Sequence, residues 1–423
     1  MKHKIQNIFA REILASTGVP TIETEITLEN DVKASASVPY GASAGIHEAF
    51  ILQDKDSKRY NGLGAQKACA VVKDVIGPKL IGMDATDQKK IDQTMLELDG
   101  TPNKEKLGGN SILSVSNACA RAAALATQTP LYKYIRSTYH LPYKTWKLPR
   151  PMMVVIEGGV HADNSTDFQE YLFSVSGAPS VKEAVRWGEE AYQALKKILK
   201  EKGLNTNVGN EGAFAPAGIE TNEAPLSLLV DAIKKAGYVP GKDISISLDP
   251  AASEFYNTDE NKYVLKRGDA QLSSDQMIAL FKGWIEKYPI ISIEDGLAED
   301  DWDGWASFFK ASGRDIRIIG DDLIVTKKER VQKAIDMQAI NGVLIKLNQI
   351  GTLTETIETI QLGRKHDFWQ VPSHRGGGET NDTFMMDLGA AVNAEYVKVG
   401  PARGERTGKY NRLLFIEEEL GLV

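Results

Sequence analysis

Five carboxylates crowd the stretch ISIEDGLAEDDWDGW, residues 291–305, where Glu294, Asp295, Glu299, Asp300 and Asp301 follow an apolar run suited to a buried strand. Like charges that close repel, so water or a cation must hold some of them. Glu294 is one of several chemically capable residues that end short apolar runs. ISISL leads to Asp249, IRIIG to Asp321, GVLI to Lys346, FWQVPS to His374 and EYV to Lys398. Asp249, Glu294 and Asp321 together offer hard oxygen ligands with no His or Cys among them. That donor set suits Mg2+, which keeps positions open for water and substrate oxygens. Any one acid taken alone is more simply a cap for the helix that follows; three in sequence at strand ends favour the metal. Asp295 is expected to support Glu294 rather than to ligate. Glu299, Asp300 and Asp301 open the helix carrying Trp302, Trp305 and Phe308, where negative charge suits the N-terminus.

A lysine at such a site, Lys346, has its ammonium form disfavoured by a neighbouring cation and by desolvation, which lowers its pKa and makes it a usable general base. It could instead be a surface lysine or an ion-pair partner for the acids. Lys398 carries the same ambiguity, with binding of an anionic substrate as a further role. SHRGGGET places Ser373, His374 and Arg375 before three glycines beginning at Gly376. Arginine beside glycine-rich backbone suits a phosphate or carboxylate. GGVHADNSTDFQEY supplies His161, Gln169 and Glu170, and NVGNEGAFAP supplies Glu211. Glu170 and Glu211 can form a pair in which one carboxyl stays protonated and acts as an acid. A base, an opposed acid, a divalent metal and an anion clamp describe proton abstraction next to a carboxylate. The residues thus point to a metal-assisted lyase acting on a phosphorylated or carboxylated small molecule.

These residues need a scaffold that gathers strand ends. From Glu294 onward the endpoints recur about every 25 residues, the size of a strand-plus-helix unit. An open doubly wound sheet also gives that spacing, but its outer strand ends lie far from the crevice. Six useful endpoints favour a closed barrel. Ahead of it, residues 21–38 alternate apolar and polar side chains around Glu29-Asn30-Asp31, a hairpin pattern. KACAVVKDVIGPKL, TDQKKIDQTMLEL and the Ala-rich NSILSVSNACARAAALA then read as helices. The proline-bearing segment 141–151 marks the expected boundary. The expected fold is α/β: a smaller N-terminal α+β domain, residues 1–140, and a C-terminal eight-stranded TIM-like β/α barrel, residues 141–423.

The chain has 423 residues, 42% hydrophobic and 25% charged, with a net charge of −7. This balance gives no electrostatic footprint for nucleic acid. No apolar run is long enough for a membrane span, and the N-terminal MKHKIQNIFAREIL lacks a signal-like apolar core. Cys69 and Cys119 sit in small-residue helical contexts and read as buried fillers. A soluble, cytoplasmic protein is expected.

The segments GASAGIHEA, LDGTPNKEKLGGNSILSVS, GGVHADNSTDFQEY, NVGNEGAFAP, SLDPAASEFY, YPIISIEDGLAEDDW, IGDDLIVT, LIKLNQIGTLTETI, SHRGGGETNDTF and PARGERTGKYNRLLFIEEEL, in that order, resemble the enolase family over nearly the whole chain. The resemblance implies an enolase-type barrel that begins irregularly, with an early antiparallel strand. It implies reversible conversion of 2-phosphoglycerate to phosphoenolpyruvate and water, with two Mg2+ per site when substrate is bound. By resemblance Lys346 is the base at C2, and Glu211, aided by Glu170, protonates the departing C3 hydroxyl. Asp249, Glu294 and Asp321 would hold the first Mg2+, and Ser43, in a lid loop, would help hold the second. Arg375 would bind phosphate, with Ser373, His374 and Gly376 alongside it. Lys398 would bind the substrate end near the metal, and His161 and Gln169 would line the closed pocket. A homodimer or an assembly of dimers is implied.

The chain departs from the family pattern at several positions. Thr17-Gly18-Val19-Pro20 replaces Arg-Gly-Asn-Pro, and Tyr40 and Ala44 alter the lid segment. Glu157 replaces Asn, Asn210 replaces Asp, and Gly376 replaces Ser. Val399-Gly400-Pro401 is one residue short. Two other readings remain: a relative of the same superfamily acting on a different carboxylate, and an impaired scaffold with a binding role.

Overall fold

The alternation over residues 21–38 becomes a hairpin, and a third strand joins it. In the computed structural model, which describes residues 3–41 and 47–422, β1 (Ile5–Leu14), β2 (Pro20–Leu28) and β3 (Lys33–Ser37) form an antiparallel sheet in that order. Asp31 takes a left-handed conformation (φ 63°) in the turn, one that a short polar side chain tolerates. The sequence pattern leaves the N-terminal stretch merely amphipathic. Its strand character is obscured because the pairing with β2 shifts register between Ile5 and Asn7. Inward residues therefore fall at Ile5, Ile8 and Ala10 rather than at every second position.

The Ala-rich segment is the helix Gly109–Ala126, and it lies against β2 and β3. Ala118, Ala120, Ala122 and Ala123 are fully buried, so no large side chain holds the helix backbone off the sheet. There the hydroxyls of Thr24 and Ser114 meet at 2.7 Å. The helices Gln88–Asp99 and Leu131–Thr138 also form in this part of the chain. Cys69 and Cys119 are free thiols buried among these elements. Among the described residues no helix is long and apolar enough to cross a membrane.

The larger sheet has eight strands: β4 (Arg150–Glu157), β5 (Glu170–Val175), β6 (Ile244–Asp249), β10 (Ile290–Glu294), β11 (Arg317–Gly320), β12 (Gly342–Ile345), β13 (Trp369–Pro372) and β14 (Tyr396–Val399). Their order is β13-β12-β11-β10-β6-β5-β4-β14, and a bridge between Ser373 and Lys398 brings the two edges together. The result is a nearly closed barrel. All neighbours run parallel except β5, which is antiparallel to both β4 and β6. That reversal puts the N-terminal residue of β5, Glu170, level with Glu157 and Asp249 at the C-terminal ends of its neighbours. The long interval between Asp249 and Glu294 holds an unanticipated small antiparallel sheet: β7 (Tyr256–Asn257), β8 (Lys262–Leu265) and β9 (Ala270–Leu272).

Side chains fill the barrel. Met152, Val154, Leu172, Ile319, Leu344 and Val371 make a compact apolar cluster separate from the outer core. Hydroxyls of Ser174, Ser247 and Ser292 link β5, β6 and β10 at 2.7 and 2.6 Å, so these buried polar groups satisfy one another.

Three ties seat the N-terminal elements on the barrel. The Asp92 carboxylate accepts the N–H (3.0 Å) and hydroxyl (2.6 Å) of Thr354. Arg121 makes a two-pronged pair with Asp382 at 2.7 and 2.6 Å. Arg136 donates to the carbonyls of Ala390 and Ala391 and lies 3.3 Å from the Trp146 ring centre. The backbone at Tyr40 and Ala49 then bonds to Gly378 and Gln349 beside the barrel mouth. Gly378 must be glycine, because a Cβ there would fall 1.8 Å from the Tyr40 carbonyl oxygen.

Candidate active site

The C-terminal ends of the barrel strands carry two linked clusters, one built around ammonium groups and one around His374. Lys398, on β14 one residue before its end, donates to Asp249 at 2.6 Å and Glu294 at 2.7 Å, and its ammonium lies 2.8 Å from Glu170. Burial disfavours that ammonium, but the three carboxylates outweigh it and hold Lys398 well above the usual lysine range. In this structure Lys398 therefore acts as the ion-pair partner for acids. Asp249 also accepts the N–H of Ala251 at 3.0 Å, the local turn its sequence context allowed.

Asp321, immediately after β11, is held by Lys346 and by the side-chain amide of Gln349 at 2.8 Å. Lys346 differs from expectation. Burial favours its neutral amine, as do Arg375 and Lys398, but the Asp321 carboxylate outweighs them and the ammonium is held above the usual range. The expected downward shift assumed a cation as the dominant neighbour, whereas a carboxylate is. Asp295 supports the neighbouring strand end: its carboxylate takes the N–H groups of Asp321 (2.9 Å) and Asp322 (2.7 Å). Asp301 caps the helix Trp302–Ser312 by accepting the Gly304 N–H at 3.1 Å. Asp300 is largely solvent-exposed and faces Arg330.

Among the described residues, His161–Glu170–Glu211 and Asp295–Asp321–Asp322 each bring three ligand-type atoms within 4.8 Å of one another. Asp249 and Glu294 instead converge on Lys398, which marks the point between them as one that stabilises positive charge. Glu294 is pushed well up, first by burial, then by the charge of Asp249, with Asp321 and Glu170 adding to it. Asp295 is pushed up in the same way by burial, then by Asp322 and Asp321. The cluster carries more negative charge than Lys346 and Lys398 offset, and its donors are carboxylate oxygens throughout. Asp249, Glu294 and Asp321 each offer the hard oxygen donors that a divalent cation takes. Ser43 lies outside the described residues.

The second cluster centres on Glu211, which follows Gly209-Asn210 in a tight loop. Its carboxylate lies 3.2 Å from His374 Nε2 and 3.5 Å from His161 Nδ1. On its other side His374 Nδ1 is 2.8 Å from Glu379, which also pairs with Arg406 and, at 3.1 Å, with Lys409. Burial alone would discharge His374, yet the two flanking glutamates push it up to about 9. Burial would likewise raise Glu211, but the His374 imidazolium outweighs it and holds the carboxyl far below the usual range. Glu170, 3.8 Å from His161, moves the other way, raised by burial and then by the charge of Glu211. The two glutamates are therefore unequal, but in the opposite sense to the donor role the resemblance implies: burial and the Glu211 charge make Glu170 the member that keeps a proton, while His374 holds Glu211 ionised. Burial keeps His161 below its usual range and so uncharged.

The loop after β13 supplies the remaining residues. Arg375 is buried and makes a two-pronged pair with Glu48 at 2.8 and 2.9 Å. The Ser373 hydroxyl donates to the His374 carbonyl at 3.0 Å. Gln169 precedes Glu170, and its carbonyl accepts the Gly158 N–H at 2.9 Å. Gly376 packs directly against Glu211, where a Cβ would fall 1.6 Å from Oε1. A separate cleft of about 690 Å³ opens between the 159–167 loop and the β7–β9 sheet, lined in part by Val160, Asp163, Glu254 and Arg267 and by none of the cluster residues. Sequence reasoning missed Glu48, Gln349, Glu379 and the fully buried Glu157. Glu48, Gln349 and Glu379 lie within segments that carry the family resemblance, and Glu157 is one of the departures from its pattern.

The resemblance noted in the sequence is matched by comparison with family profiles. One described as "Enolase, N-terminal domain" matches residues 5–135, and one described as "Enolase, C-terminal TIM barrel domain" matches residues 145–423. The nearly closed mixed barrel agrees with the TIM barrel that the second description names. The chain belongs to the enolase family.

Proposed function

We propose that this enolase-family protein, a lyase-type enzyme, catalyses the reversible dehydration of 2-phosphoglycerate to phosphoenolpyruvate. The observation that carries the reading is the union, at one barrel mouth, of the Lys346–Asp321 pair with the Glu211–His374 pair. Lys346 takes the C2 proton. The C3 hydroxyl leaves as water with a proton that the His374 imidazolium passes through the Glu211 carboxylate beside it, and the C2–C3 double bond forms. Glu170, itself protonated, stands beside Glu211 as a second proton store. Arg375 exchanges Glu48 for the substrate phosphate, with Ser373 and the Gly376 backbone alongside. His161 and Gln169 line the pocket on the 159–169 side, and Lys398 neutralises the substrate's acidic end.

Asp249, Glu294 and Asp321 would hold a Mg2+ ion, and Ser43 would contribute to a second. When bound, these ions supply electrostatic stabilisation to the charge that develops on the substrate carboxylate. With the charges of both Asp321 and Glu294 engaged there, the other influences on Lys346 (burial, Arg375 and Lys398) favour the free amine. The same reading includes a division near residues 140–141, a cytoplasmic location, and a homodimer or an assembly of dimers.

Ultraviolet absorbance of phosphoenolpyruvate, formed from 2-phosphoglycerate with Mg2+, tests the proposal. Turnover should appear with Mg2+ and vanish on chelation. No turnover, or turnover indifferent to chelator, sinks it and leaves a different carboxylate substrate or a binding role. Gly376→Ser offers a second check on the acid. Its Cβ must push the Glu211 carboxyl off His374, so kcat should fall about 10-fold with KM little changed. Wild-type kcat in that variant would mean that the Glu211–His374 contact tolerates the added Cβ and that its present geometry does not limit the rate.

A further inference from the structure

Glu157 ends β4 and is fully buried, yet no step of the proposed reaction uses it. Its carboxylate accepts the Glu211 N–H on both oxygens at 3.1 Å and the Ala213 N–H at 2.7 Å. Its own N–H donates to the Phe214 carbonyl at 2.9 Å, and the Phe214 N–H returns to Val155 at 3.0 Å. The loop bearing Glu211 is thus fastened to the end of β4 at Glu211 itself and just after it, at Ala213 and Phe214. Gly209 completes the fit, since a Cβ there would fall 2.4 Å from Glu157 Oε2. Of the two neighbouring departures from the family pattern, Asn210 is exposed while Glu157 is buried against the loop amides.

We infer that Glu157 is the positioning residue for Glu211: a side-chain acceptor at the tip of β4 that fixes the loop backbone so that the Glu211 carboxyl meets His374. This rests on the role proposed above for Glu211. Buried N–H groups demand an acceptor, and one carboxyl group holding the N–H groups of Glu211 and Ala213 sets the direction in which the Glu211 side chain projects. A shift of the reacting group by about 1 Å costs on the order of 100-fold in rate.

The test uses the full-length protein. Glu157→Ala should lower kcat about 10- to 100-fold with KM within about 3-fold. Amide hydrogen exchange at Glu211 and Ala213 should accelerate about 10-fold or more while Val154 is unchanged. Glu157→Gln, which keeps one acceptor oxygen, should recover most of both losses. Should Glu157→Ala fail to fold, Gly209→Ala carries the test, because it displaces the same carboxylate without removing it and should speed exchange at the same two amides. Wild-type kcat and exchange in Glu157→Ala, or Glu157→Gln no better than Glu157→Ala, overturns the inference. If the wild-type protein itself fails to convert 2-phosphoglycerate, the proposed function falls, while the exchange measurement still decides whether Glu157 holds the loop.

Discussion

Replacing Lys346 with alanine is expected to lower kcat about 10³- to 10⁴-fold while Mg2+ and substrate still bind. The side chain is largely but not fully buried just after β12, and its one tight partner is Asp321. Two roles fit that geometry. As a charge partner only, Lys346 would keep Asp321 satisfied, and its loss would weaken cation binding or stability more than chemistry. As a base it must lose its proton, and the loss would fall on kcat. Lys346→Arg separates the two. A guanidinium restores the charge beside Asp321 but does not deprotonate in a protein. Under the proposed mechanism both variants are inactive, and calorimetry finds substrate affinity within a few-fold of wild type for alanine. Arginine activity near wild type would reduce Lys346 to an ion-pair residue. Near-normal activity in Lys346→Ala would discard the mechanism.

Much of the fold was legible because local chemistry and global structure agree. The Glu29-Asn30-Asp31 turn, the Ala-rich helix and the strand ends at Asp249, Glu294 and Asp321 all follow from period and punctuation. β1 was hidden by a register shift, and the β7–β9 sheet by strands of two to four residues, too short to show a period. The acid-rich stretch at 291–305 divides much as its pattern suggested. Glu294 faces Lys398, Asp295 binds the next strand end, and Asp301 caps a helix.

What the sequence could not convey is which partner each buried charge meets. Lys346 was expected to be depressed and is raised, because Asp321 closes on it. Glu157 lies far from Glu211 in sequence, and Glu379 is tied to Lys409 and Arg406 by folding alone. Such pairings are products of the topology, and composition carries no trace of them.

Glu211→Gln is expected to lower kcat about 10²- to 10⁴-fold, the usual cost of removing an acid from the reaction path. The geometry adds a signature that a simple loss of structure would lack. His374 lies between Glu211 and Glu379, and their charges push it up to about 9 from an ordinary value near 6.5. A histidine whose pKa rises on folding contributes stability that is fully present below its unfolded value. That contribution is lost as pH rises through the folded value. Wild-type protein should therefore lose this increment between about pH 6.5 and 9. In Glu211→Gln one of the two charges holding the proton is gone, so the loss should begin at the same pH but be smaller and finish at lower pH. Denaturation of both proteins at pH 6, 8 and 9.5 measures the difference: largest between the two proteins on the acid side, and shrinking as His374 discharges in the wild type. The same pair governs the reaction, because a discharged His374 can no longer resupply Glu211. Wild-type kcat should accordingly fall on the alkaline side as pH passes about 9. A Glu211→Gln protein with wild-type turnover, or with an unaltered pH dependence of stability, would mean that Glu211 and His374 are neighbours and not a proton-delivering pair.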